Sequence, residues 1–241
     1  MSTVQCGTFI KTASYQVVEL LGDARFDFAV LDAEHAPLDR LTVDVMMLAG
    51  RSVQLPLFVR VPDQQPATLL SVLDMGAAGL LVPHVDTVEQ ARAVVSNAKY
   101  AGSRGYSGSP RSGGYGVLSR NEIIERGDAT RIICQIESEE GVRNVAEIAA
   151  LPGVDGVFLG RADLALSMQI EAGSAEMRDA IETVGAAAAA NGKIFGMFVS
   201  DGAEITRFAA LGANWFIISS DQSMLRNAAK VTVDHARSVT V

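Results

Sequence analysis

The sequence predicts an α/β protein folded as a (β/α)8 TIM barrel, and three observations carry that expectation. Short aliphatic runs alternate with longer segments whose apolar residues recur near every 3.6 positions. The runs are nearly continuous in Val, Ile, Leu and Phe, as strands of a parallel sheet covered on both faces must be. Eight such units at about 30 residues each fill the 241 residues. An open doubly wound sheet is the competing arrangement. It is disfavoured because no strand leads into G-x-G-x-x-G, and Gly160-Arg161-Ala162-Asp163 is not that fingerprint.

Val4–Phe9 is expected as the first strand and Tyr15–Gly22 as the helix that returns along it. Phe26–Leu31 with Leu41–Ala49 forms the second unit, Pro56–Arg60 with Ala67–Met75 the third, and Gly79–Val82 with Val88–Ala98 the fourth. Beyond an insertion, Arg131–Ile136 with Gly141–Leu151 makes the fifth unit and Gly156–Leu159 with Ala175–Asn191 the sixth. Ile194–Val199 with Ala203–Leu211 and Trp215–Ser219 with Gln222–Ala236 complete the ring. Gly22, Gly76, Gly192 and Gly212 fall at helix ends, where a left-handed cap suits a residue without Cβ.

The barrel is expected as a single domain over 1–241, interrupted at about 99–126. That stretch shows no clear strand and is rich in glycine, with Arg104, Arg111, Tyr106 and Tyr115. It cannot build a core of its own, so it is expected as a surface loop over the barrel mouth: a floppy insertion fits, as does a lid, and its arginines favour a lid that faces an anionic substrate.

Charge and composition exclude several classes. Twenty Lys and Arg against 28 Asp and Glu give a formal charge of −8, which would repel phosphate backbones, so no nucleic-acid partner is expected. No apolar run approaches the ~20 residues of a membrane span. The first residues lack the charged-then-apolar order of a signal peptide, so a cytoplasmic location is expected. Cys6 and Cys134 share no metal or redox spacing and are expected as small buried hydrophobes.

In such a barrel, chemistry collects where strands end. Lys11 follows the first expected strand; Asp32, Glu34 and His35 the second; Arg60 ends the third; Pro83 and His84 follow the fourth. Glu137 follows the fifth, Arg161 and Asp163 the sixth, and the last two lead into Ser200-Asp201 and Ser219-Ser220-Asp221. Glu137 and Asp163 are 26 residues apart, so adjacent strands present them together. Two such carboxylates repel unless a proton or a cation lies between them, and hard Mg²⁺ or Mn²⁺ suits oxygen ligands. Taken alone they fit equally well an Asp163 that caps a short helix and a Glu137 in a structural ion pair. Asp32 and His35 share one tight loop, where the carboxylate could orient the imidazole as a base; a loop histidine without a catalytic role fits too. Arg60 ends an apolar strand and needs a carboxylate neighbour or an anionic substrate. The acids after the last two strands disfavour a phosphate-bearing substrate and suit helix caps.

DAEHAP (32–37), FVRVP (58–62), GAAGLLVPHV (76–85), the long run from Gln135 to Met168 and the late FxxLGAxWFxISSD (208–221) together resemble the HpcH/HpaI aldolase family. The resemblance runs in order from about residue 6 to 225. It implies a class II pyruvate aldolase of the phosphoenolpyruvate/pyruvate superfamily, with a divalent cation (Mg²⁺ or Mn²⁺, or Co²⁺) on Glu137 and Asp163. It also implies Arg60 as the catalytic arginine and His35 with Asp32 as the catalytic pair. Homo-oligomers, hexamers or trimers, follow from it too, with the C-terminal helix packed on a neighbouring subunit. The chain departs from the family at Arg161, where GPADL is usual, at Tyr100–Gly105, where YPPxGxRG is usual, and at Gln169.

The activity this implies is reversible cleavage of a 4-hydroxy-2-oxo acid into pyruvate and an aldehyde through a metal-bound pyruvate enolate. Arg60 and Arg161 would contact substrate, and main-chain N–H groups near Ala162 would hold the pyruvate carboxylate. Two rivals are a Schiff-base aldolase using Lys11, the only one of four lysines placed after a strand, and a non-catalytic barrel that binds an oxo acid.

Overall fold

The computed structural model describes residues 4–238. Eight strands, β1 (Gln5–Ile10), β2 (Phe28–Asp32), β3 (Leu57–Arg60), β4 (Gly79–Val82), β5 (Arg131–Ile136), β6 (Gly156–Leu159), β7 (Ile194–Val199) and β8 (Trp215–Ser220), pair in parallel and in sequence order, and β8 closes on β1. The helices are α1 (Tyr15–Asp23), α2 (Arg40–Ser52), α3 (Pro66–Asp74), α4 (Val88–Ala98), α5 (Arg120–Asp128), α6 (Glu139–Ala150), α7 (Arg161–Met168), α8 (Ala175–Ala190), α9 (Gly202–Ala209) and α10 (Asp221–Ser238). The (β/α)8 barrel is therefore as expected, and β4 to β7 keep the expected bounds. Gly76, Gly192 and Gly212 do take left-handed caps, whereas Gly22 lies inside α1 and Arg25 takes the left-handed turn after it.

Strand periodicity sorts the side chains. One parity faces the surrounding helices and builds the larger apolar shell; the other points into the barrel. Inside, Trp215 stacks on Phe28 with centroids 4.0 Å apart and meets Phe58 edge-on at 5.2 Å, while Phe158 closes the layer. These rings fit because neighbouring inward positions are empty: a Cβ on Gly7 would lie 2.2 Å from the Phe28 ring. Above the rings, the same parity continues through Val30 to Asp32, from Phe58 to Arg60 and from Ile133 through Gln135 to Glu137. The polar residues thus emerge at the C-terminal rim, over a closed apolar floor.

The insertion is not at the mouth. It follows a helix, α4, which runs back to the end where strands begin, so it packs there against α3 and, through Arg111 and Asp44, reaches α2. Its arginines are committed internally: Arg111 Nη2 lies 2.8 Å from Asp44 Oδ1 and Arg104 Nη2 lies 3.5 Å from Asp74 Oδ1. The expectation of a substrate-facing loop is corrected accordingly. The segment also contains a 3-10 turn (Arg111–Gly116) and a whole helix, α5, which starts with a reciprocal cap between Ser119 and Glu122. Cys134 is buried, and burial pushes its thiol up to about 12; both cysteines are free. Among the described residues no helix is long and apolar enough to cross a membrane.

Candidate active site

Asp32 and Arg60 are register partners at the ends of β2 and β3, so their side chains leave the sheet side by side. Arg60 Nε donates to Asp32 Oδ1 at 3.0 Å and Nη2 to Oδ2 at 2.8 Å, a forked pair with both side chains buried. Lys11 Nζ adds a second cation 3.1 Å from Oδ2. Burial alone would raise the Asp32 carboxyl; the Arg60 hydrogen bonds and charge, the His35 N–H and Lys11 outweigh it and hold it below its ordinary value. The sign follows. A carboxyl depressed in the fold contributes stability above about pH 3.9, and that contribution is lost as pH falls through its lower folded value.

That pair occupies Asp32 more fully than expected. Its Oδ1 accepts the main-chain N–H of His35 at 3.1 Å, not the ring. The His35 imidazole is exposed, with Nε2 3.7 Å from Glu34 Oε2. The expected contact between Asp32 and the imidazole is therefore replaced by a backbone tether. The physical reason is the fork from Arg60, which takes both carboxylate oxygens. Lys11, as an ion-pair partner of Asp32, stands in the reverse of the apolar isolation that favours a Schiff-base lysine.

On the other side of the mouth, Glu137 is buried at the end of β5. Its Oε1 accepts the His84 main-chain N–H at 2.7 Å and lies 2.9 Å from His84 Nδ1, and its Oε2 accepts from the Gln135 amide. His84, held at a φ of 55°, also places Nε2 3.3 Å from Glu34 Oε1. Glu34 Oε2 lies 3.2 Å from Arg60 Nη1 but out of hydrogen-bond alignment. Lys11, Asp32, Arg60, Glu34, His84 and Glu137 thus form a continuous chain of polar contacts along the rim. Burial, opposed by the His84 contacts and Gln135, raises the Glu137 carboxyl, and Glu34 raises it further. In the metal-free protein this group therefore favours the fold while protonated and costs stability as pH rises above about 4.3. Glu137→Gln is expected to raise the Tm of metal-free protein at neutral pH and to leave it unchanged near pH 4, measured by thermal unfolding in EDTA.

The donor set fits a hard divalent cation. Gly160 follows β6 next to Glu137, and a Cβ there would sit 2.9 Å from Glu137 Oε2 and 3.0 Å from the Glu137 Cβ, so the backbone approaches that carboxylate as closely as only glycine permits. Asp163 lies in the exposed first turn of α7, three residues on, with no side-chain hydrogen bond among the described residues. It is not the cap of that helix; Gly160 holds that position. Among the described residues no group of three or more metal-type side chains is assembled. Two carboxylates with the other positions left to water and substrate are what Mg²⁺ commonly takes. Because the φ of Gly160 is −85°, alanine is conformationally allowed there. Gly160→Ala is expected to displace the Glu137 carboxyl and weaken divalent-cation binding at least about tenfold, at a stability cost of about 1–3 kcal/mol from overpacking, read by Mn²⁺ titration and thermal unfolding.

Arg161, expected to contact substrate, is turned away: Nη1 lies 3.0 Å from Glu204 Oε1 and Nη2 donates to the Phe198 carbonyl at 2.9 Å. Ala162 is exposed in the first turn of α7, whose leading N–H groups have no partner within the helix. Asp201 caps α9 as expected, through the N–H groups of Ala203 and Glu204; Asp221 instead accepts from Lys11 and Thr12 and ties β8 to the first loop. Three rim residues carried no expected role: Glu34, His84 and Gln135. Strand parity marks Gln135, two positions before Glu137; His84 had no signal beyond its place after a strand.

A family model described as HpcH/HpaI aldolase/citrate lyase matches residues 5–228. The chain is 37% identical over 235 residues to a 5-keto-4-deoxy-D-glucarate aldolase of Klebsiella pneumoniae subsp. pneumoniae, covering 96% of this chain and 91% of that one. Among solved structures, an HpcH/HpaI aldolase/citrate lyase family protein of Burkholderia cenocepacia superimposes with a TM-score of 0.93 at 30% identity, covering 98% of this chain and 95% of that one. An HpcH/HpaI aldolase of Desulfitobacterium hafniense gives 0.92 at 25% identity, over 99% and 94%.

Proposed function

Because the chain belongs to the HpcH/HpaI aldolase/citrate lyase family and is an aldolase by its relatives, we propose that it is a metal-dependent enzyme that reversibly cleaves a 4-hydroxy-2-oxo acid to pyruvate and an aldehyde. The observation that supports this reading is two carboxylates after paired strands, Glu137 after β5 and Asp163 in the first turn of α7 after β6. Bound there, Mg²⁺ or Mn²⁺ supplies a Lewis acid for the negative charge that develops on the keto oxygen during C–C cleavage.

The chain's own residues do the rest. Arg60, fixed by its fork to Asp32, keeps Nη1 directed to the rim as a donor to developing oxyanion charge. N–H groups at the start of α7, around Ala162, receive the pyruvate carboxylate. The exposed His35 ring takes the 4-hydroxyl proton in cleavage and returns it in synthesis, its loop held by the Asp32 tether. His35→Ala should slow cleavage about 10²–10⁴-fold while Mn²⁺ affinity stays near wild type. Arg161 is spent on Glu204 and carries no substrate contact in this reading.

The name of the relatives' substrate, a deoxy keto sugar acid, makes 5-keto-4-deoxy-D-glucarate the first compound to assay. The expected result is pyruvate release that EDTA abolishes and Mg²⁺ or Mn²⁺ restores. Release that survives EDTA and stops with borohydride plus substrate would transfer the chemistry to Lys11. The same reading includes a homo-oligomer. It is supported by α10, which leaves Leu225 and Val231 73% and 69% exposed and suits packing on a neighbouring subunit.

A further inference from the structure

His84 stands just after β4 at a φ of 55°, in the left-handed region that strains a residue with a Cβ and suits glycine. The turn is held from outside, because Gln64 Nε2 donates to the carbonyls of Pro83 and His84 at 2.8 and 2.9 Å. Strain of this kind persists only where the surroundings enforce it. Here it brings two groups of one residue onto one oxygen: the His84 main-chain N–H donates to Glu137 Oε1 at 2.7 Å, and ring Nδ1 lies 2.9 Å from the same atom. Packing does not account for the ring, since the side chain is 65% exposed. We propose that His84 is a positioning residue for the cation site: it occupies Oε1 of Glu137 from the β4 side and so turns Oε2 towards the segment that carries Asp163. This role rests on the reading that Glu137 and Asp163 share a cation.

Strand order gives the contact its direction. β5 lies between β4 and β6, so the Glu137 carboxyl has His84 on one side and Gly160, the first residue after β6, on the other. A Cβ on Gly160 would meet Oε2 at 2.9 Å, which identifies Oε2 as the oxygen on the β6 side. Asp163 follows three residues later, in the first turn of α7. An ionised carboxylate offers about four acceptor sites over its two oxygens. The two His84 contacts fill Oε1, whereas among the described residues Oε2 accepts only from the Gln135 amide and keeps acceptor capacity. Ring Nε2 lies 3.3 Å from Glu34 Oε1, a second contact that steadies the ring in this position. Groups that orient a ligating carboxylate in this way are commonly worth about 10–100-fold in metal affinity.

The test titrates EDTA-stripped full-length protein with Mn²⁺, following bound metal by electron paramagnetic resonance, and measures the Tm of the metal-free protein in parallel. His84→Gly keeps the main-chain N–H, removes the ring and relieves the backbone. Its Mn²⁺ affinity should fall about 10–100-fold, while its metal-free Tm stays at the wild-type value or rises. Asparagine tolerates the left-handed turn and carries an amide nitrogen as many bonds from the main chain as Nδ1. His84→Asn should therefore return affinity to within about threefold of wild type. A residue kept only for structure would lose affinity in step with Tm. If the glycine variant does not fold, His84→Ala takes its place with the same expected loss. The proposal is overturned by wild-type affinity in the folded variant without the ring, by affinity lost only together with Tm, or by a loss that asparagine does not restore. Failure of the cation reading shows separately: Mn²⁺ would bind Asp163→Ala as tightly as wild type, or bind neither, and the role of His84 would fall with it.

Discussion

Asp163→Ala is expected to lower metal-dependent cleavage by about 10³-fold, a loss of several kcal/mol of transition-state charge stabilisation at tenfold per 1.36 kcal/mol. Asp163 is exposed and has no side-chain hydrogen bond among the described residues, so the fold should be untouched, with stability within about 0.5 kcal/mol of wild type. Glu137→Ala should cost at least as much activity, but it also strips partners from the Gln135 amide and the His84 N–H. Its effect therefore mixes metal loss with local disorder. The pair of variants separates the two: steady-state rates and Mn²⁺ titration should fall in both, and Tm should move only for Glu137.

Arg60→Ala is expected to damage stability and activity together. It leaves the Asp32 carboxylate buried at 0% exposure with Lys11 as its remaining cation. Breaking a buried pair in this way costs about 3–5 kcal/mol, or roughly 6–20 °C in Tm for a chain of this size. Losing a donor to the developing oxyanion should cost about 10²–10³ in kcat. Asp32→Ala with Arg60→Ala should recover part of the stability, since the fully buried Asp32 carboxylate is removed although Lys11 and Glu34 lose their partners, and none of the activity. Arg60→Lys keeps the charge but not the fork and should fall between, because an ammonium cannot meet both carboxylate oxygens. Recovery of activity in the double variant would remove Arg60 from the chemistry.

Strand positions are readable because nearly continuous aliphatic runs have few alternative fates in a parallel barrel, and the ends of those strands place Asp32, Arg60 and Glu137 at one rim. Two features misled. The residues of the insertion look like those of a lid, yet its place after α4 puts it at the far end of the barrel; connectivity outweighs composition there. Helix α5 is nearly all polar on its exposed side and keeps only Ile123 and Gly127 buried, so its periodicity was too weak to see. The Ser119-x-x-Glu122 cap was its one usable sign. Proximity in sequence suggested that Asp32 orients the His35 ring, but the stronger competitor for those oxygens, Arg60, lies 28 residues away. Likewise His84 meets Glu137 across 53 residues, through a left-handed turn that no local pattern announces.

The most direct test of the central claim does not require knowing the aldehyde. Pyruvate in D₂O, followed by proton NMR, reports enolisation through loss of the methyl signal. Exchange that needs Mg²⁺ or Mn²⁺, stops in EDTA and is absent in Asp163→Ala is the predicted result. Exchange that persists in EDTA or in Asp163→Ala would contradict a metal-dependent site built on Glu137 and Asp163.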